Sequence, residues 1–258
     1  MPSVLTGANL ANRELLYLGV SGDGDSASIG LGQFANAMRR GVRMAYIVEN
    51  NGVYGLTKGQ FSATADLGSK SKKGVVNPDS PVDLIGMALQ LGATYVARGF
   101  SGDKAQLVPL IKGAMAHGGA AFIDVISPCV TFNNHGGSTK SYDYIRQHNE
   151  AVSRIDFITP GQEITASYAP GAVIAVTNHD GSILRLRKLA SDYDPTDRLG
   201  AMDRMQREAA HGELLTGLLY IDPLATDLHT ALNTAAAPLN TLASDTLCPG
   251  SATLAKIN

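Results

Sequence analysis

Two short stretches hold the residues best suited to chemistry: "SGDGD" at residues 21–25 and "ENNGVYGLTKGQ" at residues 49–60. A glycine turn opening a helix usually receives phosphate, yet this one carries Asp23 and Asp25, two charges that would repel it. The familiar phosphate loops do not match. A dinucleotide loop needs G-x-G-x-x-G, and here Gly22 and Gly24 are followed only by Gly30. A nucleoside triphosphate loop needs G-x-x-x-x-G-K and then Ser or Thr, and "GLTKGQ" has another order. A divalent cation between carboxylate and phosphate removes the conflict, because Mg2+ takes about six oxygens, commonly from one or two carboxylates and from substrate phosphates. Asp23 and Asn51 are the candidate ligands. Either turn alone is ordinary; their pairing after two apolar runs is what points to a metal-bridged diphosphate.

These residues need elements that bring them to one place. The run "LLYLGV", residues 15–20, reads as a strand buried on both faces. Ile29, Leu31, Phe34, Ala35, Ala37 and Met38 then make a helical stripe, closed by Arg39, Arg40 and Gly41, and "MAYIVEN" is a second strand. The crossover length makes the two strands parallel, so Asp23 and Asn51 leave the same carboxyl edge, where ligands of open α/β sheets collect. Residues 81–91 suit a helix, 94–100 a strand, 103–117 a helix broken or bent near Pro109, and 120–127 a strand. The expected class is α/β, a mostly parallel sheet covered by helices. Beyond Gly161 the pattern changes: residues 172–189 read as an antiparallel hairpin around Asp180-Gly181, and the rest is an extended tail rich in turn residues. The expected division is a binding domain over 1–160 and a C-terminal appendage over 161–258.

Composition excludes several classes. With 258 residues, 44% hydrophobic and 17% charged, the chain has enough apolar material for large buried surfaces. Its net charge of -2 and a longest basic run of "KSKK" give no footprint for nucleic acid. No apolar run has the length of a membrane span, and the opening residues lack the pattern of a signal peptide, so a cytoplasmic protein is expected. Two cysteines, Cys129 and Cys248, cannot form a disulfide framework. The six histidines include no pair at helical ligand spacing.

The stretch "GDGDSASIGLGQFANAMRRGVRMAYIVENNGVYGLTKGQFS", with "ISPCVTFNN", "HDGS", "DYDPTDR", "TGLLYIDP" and "LCPGSATL", resembles the β subunit of 2-oxoacid:ferredoxin oxidoreductases, of the 2-oxoglutarate type. The likeness covers nearly the whole chain. It implies a thiamine diphosphate-binding fold in which Asp23, the side chain of Asn51 and the backbone carbonyl of Val53 hold Mg2+. Gly22, Gly24 and Asp25 then frame the diphosphate, and Tyr54, Gly55 and Leu56 line the cofactor. Thr57 and Lys58 lie near the cofactor or the substrate carboxylates. The implied reaction is oxidative decarboxylation of a 2-oxoacid, with coenzyme A taking the acyl group and ferredoxin the electrons. Cys129, in "SPC", matches the distal ligand of a 4Fe-4S iron-sulfur cluster.

One departure stands out. Relatives of this kind begin with a C-x-x-C segment and a further cysteine, and a four-cysteine cluster cannot be built from Cys129 and Cys248. The expectation is that a segment bearing them lies upstream of Met1. The resemblance also places the glutamate that activates the cofactor on a separate α subunit, so that subunit is an expected partner. Two other functions compete: a non-catalytic fragment that keeps the fold and the partner surface, and a non-oxidative thiamine diphosphate-dependent decarboxylase or synthase. The "SPC" segment speaks against the latter.

Overall fold

Alternation of apolar side chains along short strands, and apolar stripes along the helices between them, builds a covered sheet. The computed structural model describes residues 1–55, 59–69, 75–127, 164–177, 183–248, 250, 251 and 256. In chain order its elements begin with α1 (Pro2–Ala11), β1 (Leu18–Gly22), a π-helical turn (Gly24–Ile29), α2 (Leu31–Arg40) and β2 (Met44–Asn50). A small ribbon of β3 (Val53–Tyr54) and β4 (Gln60–Phe61) follows, then α3 (Leu84–Gln90), β5 (Tyr95–Phe100), α4 (Lys104–Ala116) and β6 (Ala120–Ile126). The last part holds β7 (Val173–Thr177), β8 (Ile183–Lys188), α5 (Arg198–Ala210), β9 (Leu214–Ile221), α6 (Leu228–Leu232) and α7 (Ser244–Leu247).

Among the described residues, seven strands form one sheet in the order β1-β2-β6-β5-β9-β8-β7. The first four are mutually parallel, as are β8 and β9, while β5 with β9 and β7 with β8 are antiparallel. The mostly parallel sheet is therefore as expected. Side chains on β2 alternate between two cores. Tyr46 and Val48 join Phe34 and Met38 of α2, Leu84 and Leu89 of α3, and Phe122. Ala45 and Ile47 face the other way, onto Leu110 and Ala114 of α4. Phe34 and Phe122 meet edge to face at 4.9 Å, a favoured aromatic geometry. At the end of α2, Gly41 takes the left-handed conformation (φ 65°) and its N–H closes on Ala37 and Met38, the helix stop expected after Arg39-Arg40.

Four expectations change. The first strand is not buried on both faces: β1 is an edge strand, with Leu18 and Val20 48% and 45% exposed. Its inward position is Gly19, where a Cβ would lie 2.4 Å from the Leu5 side chain of α1. Ile29 is 76% exposed and belongs to the π turn rather than to the stripe of α2. The helix expected to be broken or bent near Pro109 is not broken there: α4 runs through it. The fourth change is β9, which the turn-rich reading of the tail misses. It lies between β5 and β8, with a register shift opposite Val96 and Ala97 that leaves Leu219 as a bulge. Thus strands from 1–160 and from 161–258 share one sheet. The two strands of the expected hairpin pair antiparallel, while its Asp180-Gly181 turn lies outside the described residues. Among the described residues, no helix is long and apolar enough to cross a membrane.

Candidate functional site

Parallel pairing of β1 with β2, with Gly22 opposite Glu49, makes both strands end at the same edge. Asp23 is the first residue beyond β1 and Asn51 the first beyond β2. The Asp23 carboxylate is 1% exposed, and its Oδ2 accepts three hydrogen bonds. They come from the Gly52 N–H at 3.0 Å, from the Thr64 hydroxyl at 2.5 Å, and from the Ser62 hydroxyl. Gly52, at φ 73°, makes the turn that aims its N–H there. The Asn51 Oδ1 accepts from the Val53 N–H at 3.1 Å, which fixes the side-chain amide and keeps Val53 beside it.

The two loops are joined a second time. Tyr54 donates its hydroxyl to the Gly24 carbonyl at 3.0 Å, and its ring lies so close that a Cβ at Gly24 would sit 2.4 Å from it. Gly24 must therefore be glycine for Tyr54 to close over the turn. Asp25 has an exposed side chain, and its carbonyl accepts from Gly30 N–H at 2.7 Å, the bond of a π turn. Gly22 and Gly55 are half-buried at the ends of the two loops. Leu56, Thr57, Lys58 and Cys129 lie outside the described residues. We expect Gly24→Ala to displace the Tyr54 ring and to weaken thiamine diphosphate binding in Mg2+ about tenfold, the worth of one hydrogen bond. Calorimetric titration checks this, and an unchanged affinity would show that the Tyr54 contact does not shape the site.

The donor set suits a hard cation. Every partner of Asp23 shown here is a donor to one oxygen, and among the described residues no Lys or Arg pairs with it. A buried carboxylate of this kind calls for a positive charge. A carboxylate, a side-chain amide and a backbone carbonyl are the oxygens that Mg2+ takes. Among the described residues there is no cluster of three His, Cys, Asp or Glu that could hold a metal ion. Sequence reasoning missed Ser62 and Thr64; the Ser-x-Thr pair after "KGQF" is the only signal available.

A cavity of about 510 Å³ opens beside this edge, from Asn51, Gly52 and Thr64 toward Met202 and Met205 of α5. Its polar wall includes Arg98 and Asp124, whose Nε and Oδ2 are 2.9 Å apart, and Asn50, which donates to Asp124 Oδ1 at 3.0 Å. Glu213 lines it too, and the Arg187 guanidinium hydrogen-bonded to it holds its carboxyl below the usual range.

Residues 1–125 match the family described as thiamine pyrophosphate enzyme, C-terminal TPP binding domain. A 2-oxoacid:ferredoxin oxidoreductase subunit beta from Saccharolobus solfataricus is 47% identical over 129 residues, 50% of this chain and 42% of that one. The 2-oxoglutarate oxidoreductase subunit KorB from Mycobacterium tuberculosis is 34% identical over 164 residues, 63% of this chain and 42% of the relative. The chain thus spans less than half the length of these curated relatives. Among solved structures, a 2-oxoglutarate:ferredoxin oxidoreductase from Magnetococcus marinus, with 2-oxoglutarate, coenzyme A and succinyl-CoA bound, superposes with a TM-score of 0.67 at 27% identity. That match covers 98% of this chain and 72% of the other.

Proposed function

We propose that this chain is a β subunit of the 2-oxoacid:ferredoxin oxidoreductase kind, as the relatives it is similar to are, and that it binds thiamine diphosphate through Mg2+ at its paired loops. The proposed activity is oxidative decarboxylation of 2-oxoglutarate or a related 2-oxoacid, with coenzyme A as acyl acceptor and ferredoxin as electron acceptor. The carrying observation is the Gly52 N–H on the buried Asp23 carboxylate, which joins the two loops at the carboxyl edge of the sheet. Asp23, the Asn51 amide and the Val53 carbonyl are the proposed Mg2+ ligands. Gly22, Gly24 and Asp25 frame the diphosphate, and Tyr54, Gly55 and Leu56 line the cofactor. When bound, the thiazolium ring supplies the electron sink for loss of carbon dioxide.

The remaining parts of the reading are a 4Fe-4S cluster with Cys129 as one ligand, an α subunit that shares the cofactor, and a cytoplasmic location. Decarboxylation itself needs no cluster. The test is therefore carbon dioxide release from 2-oxoglutarate by the chain together with its α subunit. Release that depends on thiamine diphosphate and Mg2+ is expected; none from the folded pair would overturn the proposal.

Thr57 and Lys58 are assigned to the substrate. A lysine beside the reacting centre can pair with the distal carboxylate of 2-oxoglutarate, a group pyruvate lacks. A charge-assisted hydrogen bond is worth about 1.5 to 3 kcal/mol. Lys58→Ala should therefore lower the specificity constant for 2-oxoglutarate roughly ten- to a hundredfold more than that for pyruvate. Equal losses would give the lysine to the cofactor instead.

A further inference from the structure

Toward the carboxyl edge, one face of the sheet changes from apolar to charged. Tyr46, Val96 and Phe122 are packed in the larger core. Along that same face, each strand's next rungs bring Arg98 opposite Asp124 in register, and Asp124 opposite Val48. Asn50 is two residues beyond Val48, diagonal to Asp124 and within reach of it. The result is a polar row across three adjacent strands: Arg98 to Asp124 at 2.9 Å, then Asp124 to Asn50 at 3.0 Å. The two charged side chains are 11% and 2% exposed. Burying such a pair in the middle of a sheet costs desolvation on the scale of their attraction, so stability alone is a poor reason for it.

Its position supplies another reason. Asn50 is the last residue of β2, and its carbonyl also accepts from the Ser127 N–H beyond β6 at 2.9 Å. The strand end is thus gripped by main chain and side chain alike. The next residue is Asn51, and the one after it, Gly52, donates to Asp23. The turn carrying Asn51 is held in front by Asp23 and behind by Asp124.

We propose that Asp124 is a positioning residue for the Mg2+ site, acting through Asn50 to fix Asn51, with Arg98 there to hold the Asp124 carboxylate in place. This rests on the Mg2+–diphosphate reading above. Outer-shell partners of this kind cost roughly ten- to a hundredfold in metal affinity when removed.

The experiment titrates thiamine diphosphate into the full chain over a series of Mg2+ concentrations by calorimetry. Asn50→Ala cuts the link and leaves the ion pair intact. The double variant Arg98→Met with Asp124→Leu removes the pair without stranding a buried charge, since Asp83, the other acid near Arg98, is exposed, and so keeps the test open if the single change harms folding. Both should raise the Mg2+ concentration for half-saturation about tenfold. At saturating Mg2+ the cofactor affinity should return close to that of the unsubstituted chain. Asp23→Asn, measured alongside, separates the two claims. If it loses Mg2+-dependent binding while the other variants titrate like the unsubstituted chain, the positioning role is wrong and the site stands. If Asp23→Asn also titrates normally, the Mg2+ site itself is wrong. A fall in melting temperature without any change in Mg2+ dependence would mark the row as structural and overturn the proposal.

Discussion

Replacing Asp23 by asparagine should abolish Mg2+-dependent binding of thiamine diphosphate, with affinity falling by more than about a hundredfold, the upper end for an outer-shell residue. The fold should survive. The three donors from Gly52, Ser62 and Thr64 all meet one carboxylate oxygen, Oδ2. An amide oxygen in the same place can accept all three, so the variant keeps the local hydrogen bonds and loses the charge. That charge is what a cation needs, since the other proposed ligands, the Asn51 amide and the Val53 carbonyl, are neutral. Calorimetry with thiamine diphosphate and Mg2+ reads the loss, and thermal melting of the free chain shows that the turn is intact. Undiminished affinity in a folded variant would mean that Asp23 serves only to tie the loops together.

The second large effect concerns activity. The isolated chain should release no carbon dioxide from 2-oxoglutarate, and adding the α subunit should bring turnover. Thiamine catalysis needs a carboxylate at the aminopyrimidine ring and a second layer to hold that ring. Of the acids that line the cavity, Asp83 and Asp124 face Arg98 and Glu213 is held by Arg185 and Arg187, while Asp66 is the fourth. Glu49 is exposed on β2 just ahead of the proposed ligands, at the diphosphate end. The proposed function places that carboxylate on an α subunit, with the cofactor shared at the interface. Turnover by a homogeneous preparation of this chain alone would refute the claim.

How much of this is readable beforehand varies by element, for physical reasons. Met44–Asn50 is legible to the residue because it is a run of apolar residues long enough for one strand and ends in polar residues. Its partner β1 is harder, because an edge strand buries one face only and its outward Leu18 and Val20 look like core residues. β9 hides between two turn signals, His211-Gly212 and Asp222-Pro223, which draw the eye away from Leu214–Ile221. At the site, Asp23 and Asn51 stand out because a charged glycine turn invites explanation. Ser62 and Thr64 do not, since small hydroxyls in a loop have no spacing signature and meet Asp23 only through the fold. Asp124 leaves a faint trace, a lone acid within "AAFIDVI", but its partners Arg98 and Asn50 come from other strands.

The central claim, that a divalent cation bridges Asp23 and Asn51 to a diphosphate, has one direct measurement. Thiamine diphosphate and thiamine are each titrated into the 258-residue chain by calorimetry, with Mg2+ and again with EDTA. Binding of thiamine diphosphate in Mg2+ alone, and no binding of thiamine under either condition, is the expected result. Binding of thiamine diphosphate that is equally tight in EDTA would contradict it.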